Sequence, residues 1–155
     1  MEYRLDLNNL YKILELVSDY NCKLLPVIKG RNEEDILQLY NEGFREFGEN
    51  RLNELSDHAR FLPEARFHFI APLQSRKIRE IMNSCDFIHT LQRPKEILAI
   101  NECYENQDIF VQINIDDDPN KSGIKINQVD EFFDNFEGLK YFPAGIMCIP
   151  SLDAN

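Results

Sequence analysis

The chain has 155 residues, of which 43% are hydrophobic and 28% are charged, a composition typical of one folded domain rather than of a disordered segment. Acidic residues outnumber basic residues 27 to 17, and the resulting net charge of −10 argues against binding to nucleic-acid phosphates. The first ten residues, "MEYRLDLNNL", lack the pattern of a signal peptide, and no apolar run reaches the roughly 18 residues of a membrane span. We therefore expect a single cytoplasmic domain over residues 1–155.

The first part of the chain alternates between helical and extended patterns. Leucines and a valine recur near the 3.6-residue period over residues 5–17, which predicts an amphipathic helix. The apolar run 23–29 predicts the first strand, in which a proline is tolerated only at a sheet edge or an irregularity. Residues 32–43 predict a helix that is capped by Asn32 and stopped by Gly43.

The same alternation continues towards the end of the chain. The further predicted strands cover residues 45–50, 66–71, 86–90, 108–114 and 144–150. The helices predicted between them cover residues 51–62, 75–84, 93–106 and 128–136. Ser75 is expected to cap its helix. Pro94 suits a first helical turn, because the N–H group that proline lacks would have no partner within the helix there.

Six predicted strands separated by helices indicate parallel strands joined by right-handed crossovers, and therefore an α/β protein. The length favours an open doubly wound sheet, because a TIM barrel rarely has fewer than about 200 residues. The Gly-x-Gly-x-x-Gly fingerprint of the dinucleotide-binding open sheet is absent, however. The pattern alone leaves both folds open.

Cysteine and histidine spacing predicts no metal or redox motif. The four cysteines are Cys22, Cys85, Cys103 and Cys148. They include no Cys-x-x-Cys pair, so we expect buried, reduced thiols. The three histidines are His58, His68 and His89. None shows the helical pair spacing of a metal site.

Polar residues follow several predicted strands directly, in the stretches "VIKG", "FGENR", "HFIAPLQSRK" and "QINIDDDPNKSG". Sites in parallel α/β folds form beyond the carboxyl ends of strands, so we expect Lys29, Asn50, Gln74 and Asn114 to converge on one face. Each has a simpler alternative. A lysine often bounds a strand, and Asn50 fits equally well as the N-cap of the following helix.

These motifs resemble the pyridoxal-phosphate homeostasis proteins, single-domain relatives of the alanine racemase barrel domain. The matching residues are Lys29 in "VIKG", Phe47-Gly48-Glu49-Asn50, then His68, Ile70, Leu73, Gln74, Ser75 and Lys77, then Asn114 with Lys121-Ser122-Gly123, and lastly Gly145, Met147, Ile149 and Pro150. The resemblance covers residues 7–150 in the right order. It implies a TIM-type (β/α) barrel of the alanine racemase N-terminal type, incomplete, with about six of its eight strands.

The sequence departs from the family at three places. Ile28 stands where the family usually has serine, and Ala71 and Pro72 replace a glycine and its neighbour. The family's last two strands, which carry its phosphate-binding residues, find no match in this sequence. The resemblance therefore implies a truncated barrel domain that binds the phosphate weakly and self-associates through open barrel edges.

The resemblance also implies a function. It describes a non-catalytic carrier that holds pyridoxal 5′-phosphate as an imine on Lys29, with Asn50, Gln74 and Asn114 as further cofactor-binding residues. Its partners would be the cofactor and pyridoxal-phosphate-dependent apoenzymes, with no nucleic acid, membrane or metal. Two alternatives are an amino-acid racemase, whose second base in the resembled enzymes is a tyrosine from an added domain, and a cofactor-free remnant.

Overall fold

The computed structural model describes residues 5–151 of the chain. Its helices are α1 (Leu7–Ser18), α2 (Glu33–Asn41), α3 (Leu52–Phe61), α4 (Ile78–Met82), α5 (Pro94–Cys103) and α6 (Val129–Asp134). Its strands are β1 (Glu46–Glu49), β2 (Arg66–Phe69), β3 (Phe87–Leu91), β4 (Asp108–Asn114), β5 (Ile124–Lys125) and β6 (Gly145–Met147). Over this range no helix has both the length and the apolar character that a membrane crossing requires.

The strands form one parallel sheet. β1, β2, β3 and β4 lie side by side in chain order, and β6 pairs with β4. β5, which the sequence did not predict, pairs only with the last two residues of β4. The order follows the chain without the reversal that marks an open doubly wound sheet. The fold is therefore an incomplete TIM-type α/β barrel rather than the open sheet that the length favoured.

The predicted first strand, residues 23–29, is reduced to a single bridge between Val27 and Gly48 among the described residues. Ile28 N–H donates to the Gly48 carbonyl at 2.9 Å, and Gly48 N–H donates to the Pro26 carbonyl at 2.8 Å. Pro26 has no N–H with which to extend the ladder, and Val27 remains 45% exposed. The extent of this strand was wrongly predicted, whereas the placement of its proline at a sheet edge is confirmed.

Side chains alternate between two faces of the sheet. The helix-facing side chains belong to one buried cluster with residues of α3, α4 and α5. Its strand members include Phe47, Phe67, Ile88, Ile109 and Val111, and its helix members include Leu55, Ile78, Ile81, Ile97 and Ile100. We call the opposite side of the sheet the inner face. It carries Gly48 of β1, His68 of β2, His89 of β3, and Phe110 and Gln112 of β4.

Several helix ends follow from local chemistry as predicted. Asn32 caps α2, its side-chain oxygen accepting the Asp35 N–H at 2.9 Å. Gly43, at a φ of 98°, ends the same helix in a left-handed conformation that suits glycine. Pro94 occupies the first turn of α5.

Two local predictions were wrong. Ser75 does not cap a helix, because it lies within a 3₁₀ turn (Ser75–Lys77) that precedes α4. Cys22 and Cys148 are exposed rather than buried. Both lie outside the packed elements, Cys22 after α1 and Cys148 directly after β6. Cys85 is buried as expected.

Candidate functional site

Lys29 lies in a tight turn at the edge of the sheet. The Arg31 N–H donates to the Ile28 carbonyl at 3.0 Å and closes this turn. Gly30, at a φ of 66°, adopts a left-handed conformation that costs glycine little. Lys29 itself is exposed. Its ammonium group is therefore accessible from solvent while its backbone is held in a defined turn.

The parallel bridge between Val27 and Gly48 places the start of the lysine turn beside β1. Lys29 and Asn50 each come two residues after a partner of this bridge, and the chain turns at Ile28. The β1–β2 register continues past β1, since the Ile70 N–H donates to the carbonyl of the residue that precedes Asn50. Asn50 and Ile70 thus follow β1 and β2 at the carboxyl edge, and Lys29 lies in the turn that follows the bridge at this edge.

A cleft of about 280 Å³ opens at the carboxyl ends of β2, β3, β4 and β6. Its lining comprises Ile70, Pro72, Thr90, Gln112, Ile113, Asn114, Lys121, Ser122, Met147 and Ile149. The volume lies close to the lower bound of roughly 300 Å³ for small-molecule sites, and the mixture of apolar walls with a few polar groups is typical of them. The cleft is the main candidate for ligand binding.

Asn114, at the end of β4, is buried and organises one wall of the cleft. Its amide N–H groups donate to the carbonyls of Asp118 at 2.7 Å and Lys121 at 3.3 Å. Its side-chain oxygen accepts the Asp118 N–H at 3.3 Å. Gly123 closes the same loop against β4 and has a φ of 119°. A Cβ added to it would stand 2.6 Å from the backbone nitrogen of Asn114. The amide of Asn114 is therefore occupied in shaping the loop over residues 115–123.

Three further polar side chains of the cleft, those of Gln112, Thr90 and Lys121, also have partners. Gln112 donates to the Ser122 carbonyl at 3.2 Å, and the Thr90 hydroxyl donates to the Ala71 carbonyl at 2.6 Å. Lys121 forms an ion pair with Asp116 and donates to the Ile149 carbonyl at 3.2 Å. These contacts connect β3, β4, the loop after β4 and the segment after β6 into one wall.

Asn50 and Gln74 line a second, smaller cavity of about 160 Å³. Pro72 contributes to both cavities, so the two adjoin. The side-chain oxygen of Asn50 is buried and has no hydrogen-bond partner among the described residues. An unsatisfied buried acceptor of this kind suits a ligand or water that donates a hydrogen bond.

Asn50 is not the N-cap of α3. Arg51 occupies that position without a side-chain hydrogen bond. Glu49 instead binds the backbone directly before α3. One of its carboxylate oxygens accepts hydrogen bonds from the N–H groups of Asn50 at 2.7 Å and Arg51 at 3.0 Å. Burial raises the pKa of Glu49, and the two backbone hydrogen bonds act against this. The side chain of Asn50 is thereby left available to the cavity.

Two histidines that lie 21 residues apart meet on the inner face. His68 Nδ1 is 2.8 Å from His89 Nε2, and the tautomers decide which ring donates. His68 also stacks on Phe87 with ring centroids 3.8 Å apart. No spacing pattern in the sequence predicts this contact, because the register of β2 and β3 creates it.

Both imidazoles of this pair are neutral at neutral pH. The pKa of His68 is lowered to about 3, mainly by burial and in smaller part by His89, Arg66 and Lys23. Burial also lowers the pKa of His89. The inner face therefore carries a hydrogen-bonded, uncharged pair in the sheet that holds the cleft.

The four predicted site residues lie at the carboxyl edge, but they do not share one cavity. Asn114 lines the cleft, Asn50 and Gln74 line the smaller cavity, and Lys29 lines neither of the two. The turn that carries Lys29 is connected to the sheet by the bridge between Val27 and Gly48.

Gln112 and Thr90 also line the cleft, although neither directly follows a predicted strand. Gln112 was recognisable in principle. It is a polar residue inside the apolar run "DIFVQIN", two positions before Asn114 and therefore on the same face. Thr90 reaches the cleft after an irregularity in the pairing of β3 with β4, which no sequence pattern revealed. Within residues 5–151, no group of three or more side chains could hold a metal ion.

Fold and cavities together define an α/β barrel domain with a cleft at the carboxyl ends of its strands and a lysine in a turn at the first edge. The chain belongs to the family of the alanine racemase N-terminal domain, because the model of that family matches residues 7–154.

Its relatives include proteins named for pyridoxal phosphate. A pyridoxal phosphate homeostasis protein of Pasteurella multocida is 33% identical over 138 residues, which cover 83% of this chain and 59% of the relative. A protein of the same name from Escherichia coli is 35% identical over 124 residues, which cover 70% of this chain and 50% of the relative. The chain thus spans little more than half the length of these relatives.

Two solved structures of PipY from Synechococcus elongatus have the same fold. The structure without PLP has a TM-score of 0.78 at 24% sequence identity, and the match covers 94% of this chain and 72% of PipY. The structure with PLP bound has a TM-score of 0.75 at 22% identity, and the match covers 93% and 71%. The agreement supports the incomplete barrel.

Proposed function

We propose that this chain binds pyridoxal 5′-phosphate through an imine at Lys29 and serves as a cytoplasmic carrier of the cofactor, with no turnover of its own. Two relatives are named for pyridoxal phosphate homeostasis, and one structural neighbour holds PLP. These relatives make pyridoxal 5′-phosphate the natural candidate for a ligand at the carboxyl edge of the sheet.

The observation that carries the proposal is the position of Lys29. It is exposed, in a hydrogen-bonded turn that directly follows the bridge between Val27 and Gly48 at the carboxyl edge. Other lysines near the edge are engaged, since Lys121 pairs with Asp116 and Lys77 pairs with Glu80 at 3.1 Å. The neutral amine of Lys29 would add to the aldehyde carbon of the cofactor. A carbon–nitrogen double bond then forms, and the aldehyde oxygen leaves as water.

We propose different supporting roles for Asn50, Gln74 and Asn114. The unpartnered oxygen of Asn50 suits a donor on the ligand or on a bridging water. Gln74 lines the same small cavity and is exposed. The amide of Asn114 is already bonded to the loop over residues 115–123, so we assign it to shaping the cleft rather than to direct contact.

The absence of turnover is part of the proposal. Racemisation requires two bases on opposite faces of the substrate carbon, and the resembled racemases take one of them from a tyrosine. None of the described residues that line the cleft or the smaller cavity is a tyrosine. A carrier role needs only reversible capture of the aldehyde.

We further propose that the cofactor passes to pyridoxal-phosphate-dependent apoenzymes and that the chain self-associates. The edges of the described sheet carry exposed apolar residues, with Val27 at 45%, Ile146 at 61% and Ile149 at 63% exposure. Open strand edges of this kind pair readily with other chains.

Absorption spectroscopy tests the cofactor proposal directly. Titration of the purified chain with pyridoxal 5′-phosphate should produce an imine band that is absent in Lys29→Ala. Lys23→Ala serves as the matched control, because Lys23 is an exposed lysine of the same segment. An equal band in Lys29→Ala and wild type, or no band at any cofactor concentration, would contradict the proposal.

A further inference from the structure

Glu54 connects α3 to the turn that carries Lys29. It lies in the first turn of the helix, and its side chain is 28% exposed. One carboxylate oxygen accepts the Gly30 N–H at 2.7 Å, across 24 residues of sequence. The other accepts a hydrogen bond from Arg51 Nη1 at 2.5 Å. The carboxylate therefore bridges the helix and the residue next to Lys29.

The Gly30 contact completes the fixation of the lysine turn. On the side of Ile28, the backbone is held by β1 through the Gly48 carbonyl. On the side of Gly30, Glu54 supplies the corresponding acceptor. Lys29 thus stands between two anchored N–H groups, one bound by the sheet and one bound by the helix. A charged acceptor makes the second anchor stronger than a neutral one would.

Arg51 keeps the carboxylate in place. Its guanidinium is the second partner of Glu54, and it lies near enough that an added Cβ at Gly30 would stand 4.0 Å from Arg51 Nη1. The hydrogen bond from the Gly30 N–H is the largest effect on the pKa of Glu54 and lowers it. Burial raises this pKa, and the hydrogen bond and charge of Arg51 lower it. The carboxylate is therefore ionised, and able to hold both partners, throughout the neutral range.

We propose that Glu54 is a positioning residue for Lys29, which holds the backbone of the lysine turn so that the amine is presented at the carboxyl edge. This inference rests on the proposed imine function of Lys29. The ordinary alternative is that Glu54 only stabilises α3, as an acidic residue in a first turn does through the helix dipole. The alternative affects helix stability and leaves the Gly30 amide and the reactivity of Lys29 unchanged.

Three variants separate the two roles. Glu54→Ala removes both contacts, whereas Glu54→Gln keeps a neutral acceptor that can still reach Gly30. Glu80→Gln is the matched control, because Glu80 also lies in a first turn, that of α4, and pairs with a lysine three residues before it. Circular dichroism and thermal melts establish that each variant is folded.

The first measurement needs no cofactor. Amide hydrogen exchange of Gly30, followed by NMR, should become about tenfold faster in Glu54→Ala, less so in Glu54→Gln, and remain unchanged in Glu80→Gln. In wild type, the chemical shift of the Gly30 amide should change with protonation of Glu54 at a pH below the ordinary carboxyl value of about 4.3.

The second measurement is the rate at which borohydride traps pyridoxal 5′-phosphate on Lys29. We expect a decrease of about tenfold in Glu54→Ala, with partial recovery in Glu54→Gln. Unchanged Gly30 exchange and an unchanged trapping rate in Glu54→Ala would overturn the inference. A wild-type chain that traps no cofactor on Lys29 would instead refute the proposed function, and Gly30 exchange would still decide whether Glu54 holds the turn.

Discussion

His68 and His89 form a neutral hydrogen-bonded pair on the inner face, with His68 Nδ1 2.8 Å from His89 Nε2. Arg66 and Glu46 lie beside this pair, Glu46 with a carboxylate oxygen 3.6 Å from His68 Nε2. The pKa of His68 is lowered to about 3, mainly by burial, so this imidazole remains uncharged well below neutral pH. This arrangement makes the stability of the fold depend on pH.

We predict that wild-type stability decreases on acidification partly through His68. The unfolded chain protonates His68 near pH 6.5, whereas the folded chain does so only near pH 3. The contribution of neutral His68 to the free energy of unfolding is therefore fully present above about pH 6.5. It is lost as the pH falls towards 3, by at most about 1.4 kcal/mol per pH unit. Urea unfolding of wild type and His68→Gln should show a stability difference that narrows over this window. A constant difference would contradict the assignment.

The loop that forms one wall of the cleft depends on glycine at position 123. In Gly123→Ala, the new Cβ would meet the Asn114 nitrogen at 2.6 Å, and the residue would keep a φ of 119°. We expect a loss of about 1–3 kcal/mol in the free energy of unfolding beyond that of Gly138→Ala. Gly138 is the control, because it also has a positive φ, 74°, but an added Cβ there meets nothing within 4 Å. Equal losses in the two variants, measured by urea denaturation, would show that the close approach to β4 is unimportant.

Self-association should depend on the edge formed by β6. This strand pairs with β4, no other described strand pairs with it, and its central residue Ile146 is 61% exposed. Ile146→Lys places a charge on this edge and should weaken association by at least about tenfold. Leu98→Lys is the control, because Leu98 is equally exposed, at 60%, but lies on α5 rather than in a strand. Sedimentation equilibrium measures the association constants of the wild type and of the two variants. A wild-type chain that remains monomeric at high concentration would refute the prediction.

The carrier account predicts no racemisation. Incubation with L-alanine and excess pyridoxal 5′-phosphate should leave the amino acid in its original configuration, at the level seen with Lys29→Ala. Chiral chromatography provides the measurement. Conversion above that background would favour the enzyme alternative and would require a second base that the sequence did not reveal.

The sequence predicted those elements whose signals are local. Asn32 and Gly43 marked the ends of α2 through side-chain capping and a left-handed stop. The strand over residues 108–114 was predicted with its observed bounds, because apolar residues of β4 are followed directly by turn-forming residues. In contrast, the segment before Lys29 carried a strand-like apolar pattern but pairs with only one neighbour, at an edge that contains Pro26.

The candidate site was predicted only in part for a related reason. Strand ends identified Lys29, Asn50, Gln74 and Asn114 as residues of one edge, but they could not divide these residues between two cavities. The contact of Glu54 with Gly30 depends on how α3 packs beside the lysine turn. No spacing pattern within the sequence encodes such a contact.

The most direct test of the central proposal is to identify the lysine that carries the cofactor. The chain is incubated with pyridoxal 5′-phosphate, reduced with borohydride and digested, and the modified peptide is sequenced by mass spectrometry. We expect the reduced adduct on Lys29, and no adduct at that position in Lys29→Ala. Modification mainly at Lys23, Lys77 or Lys121 would contradict the assignment of Lys29 as the cofactor-binding lysine.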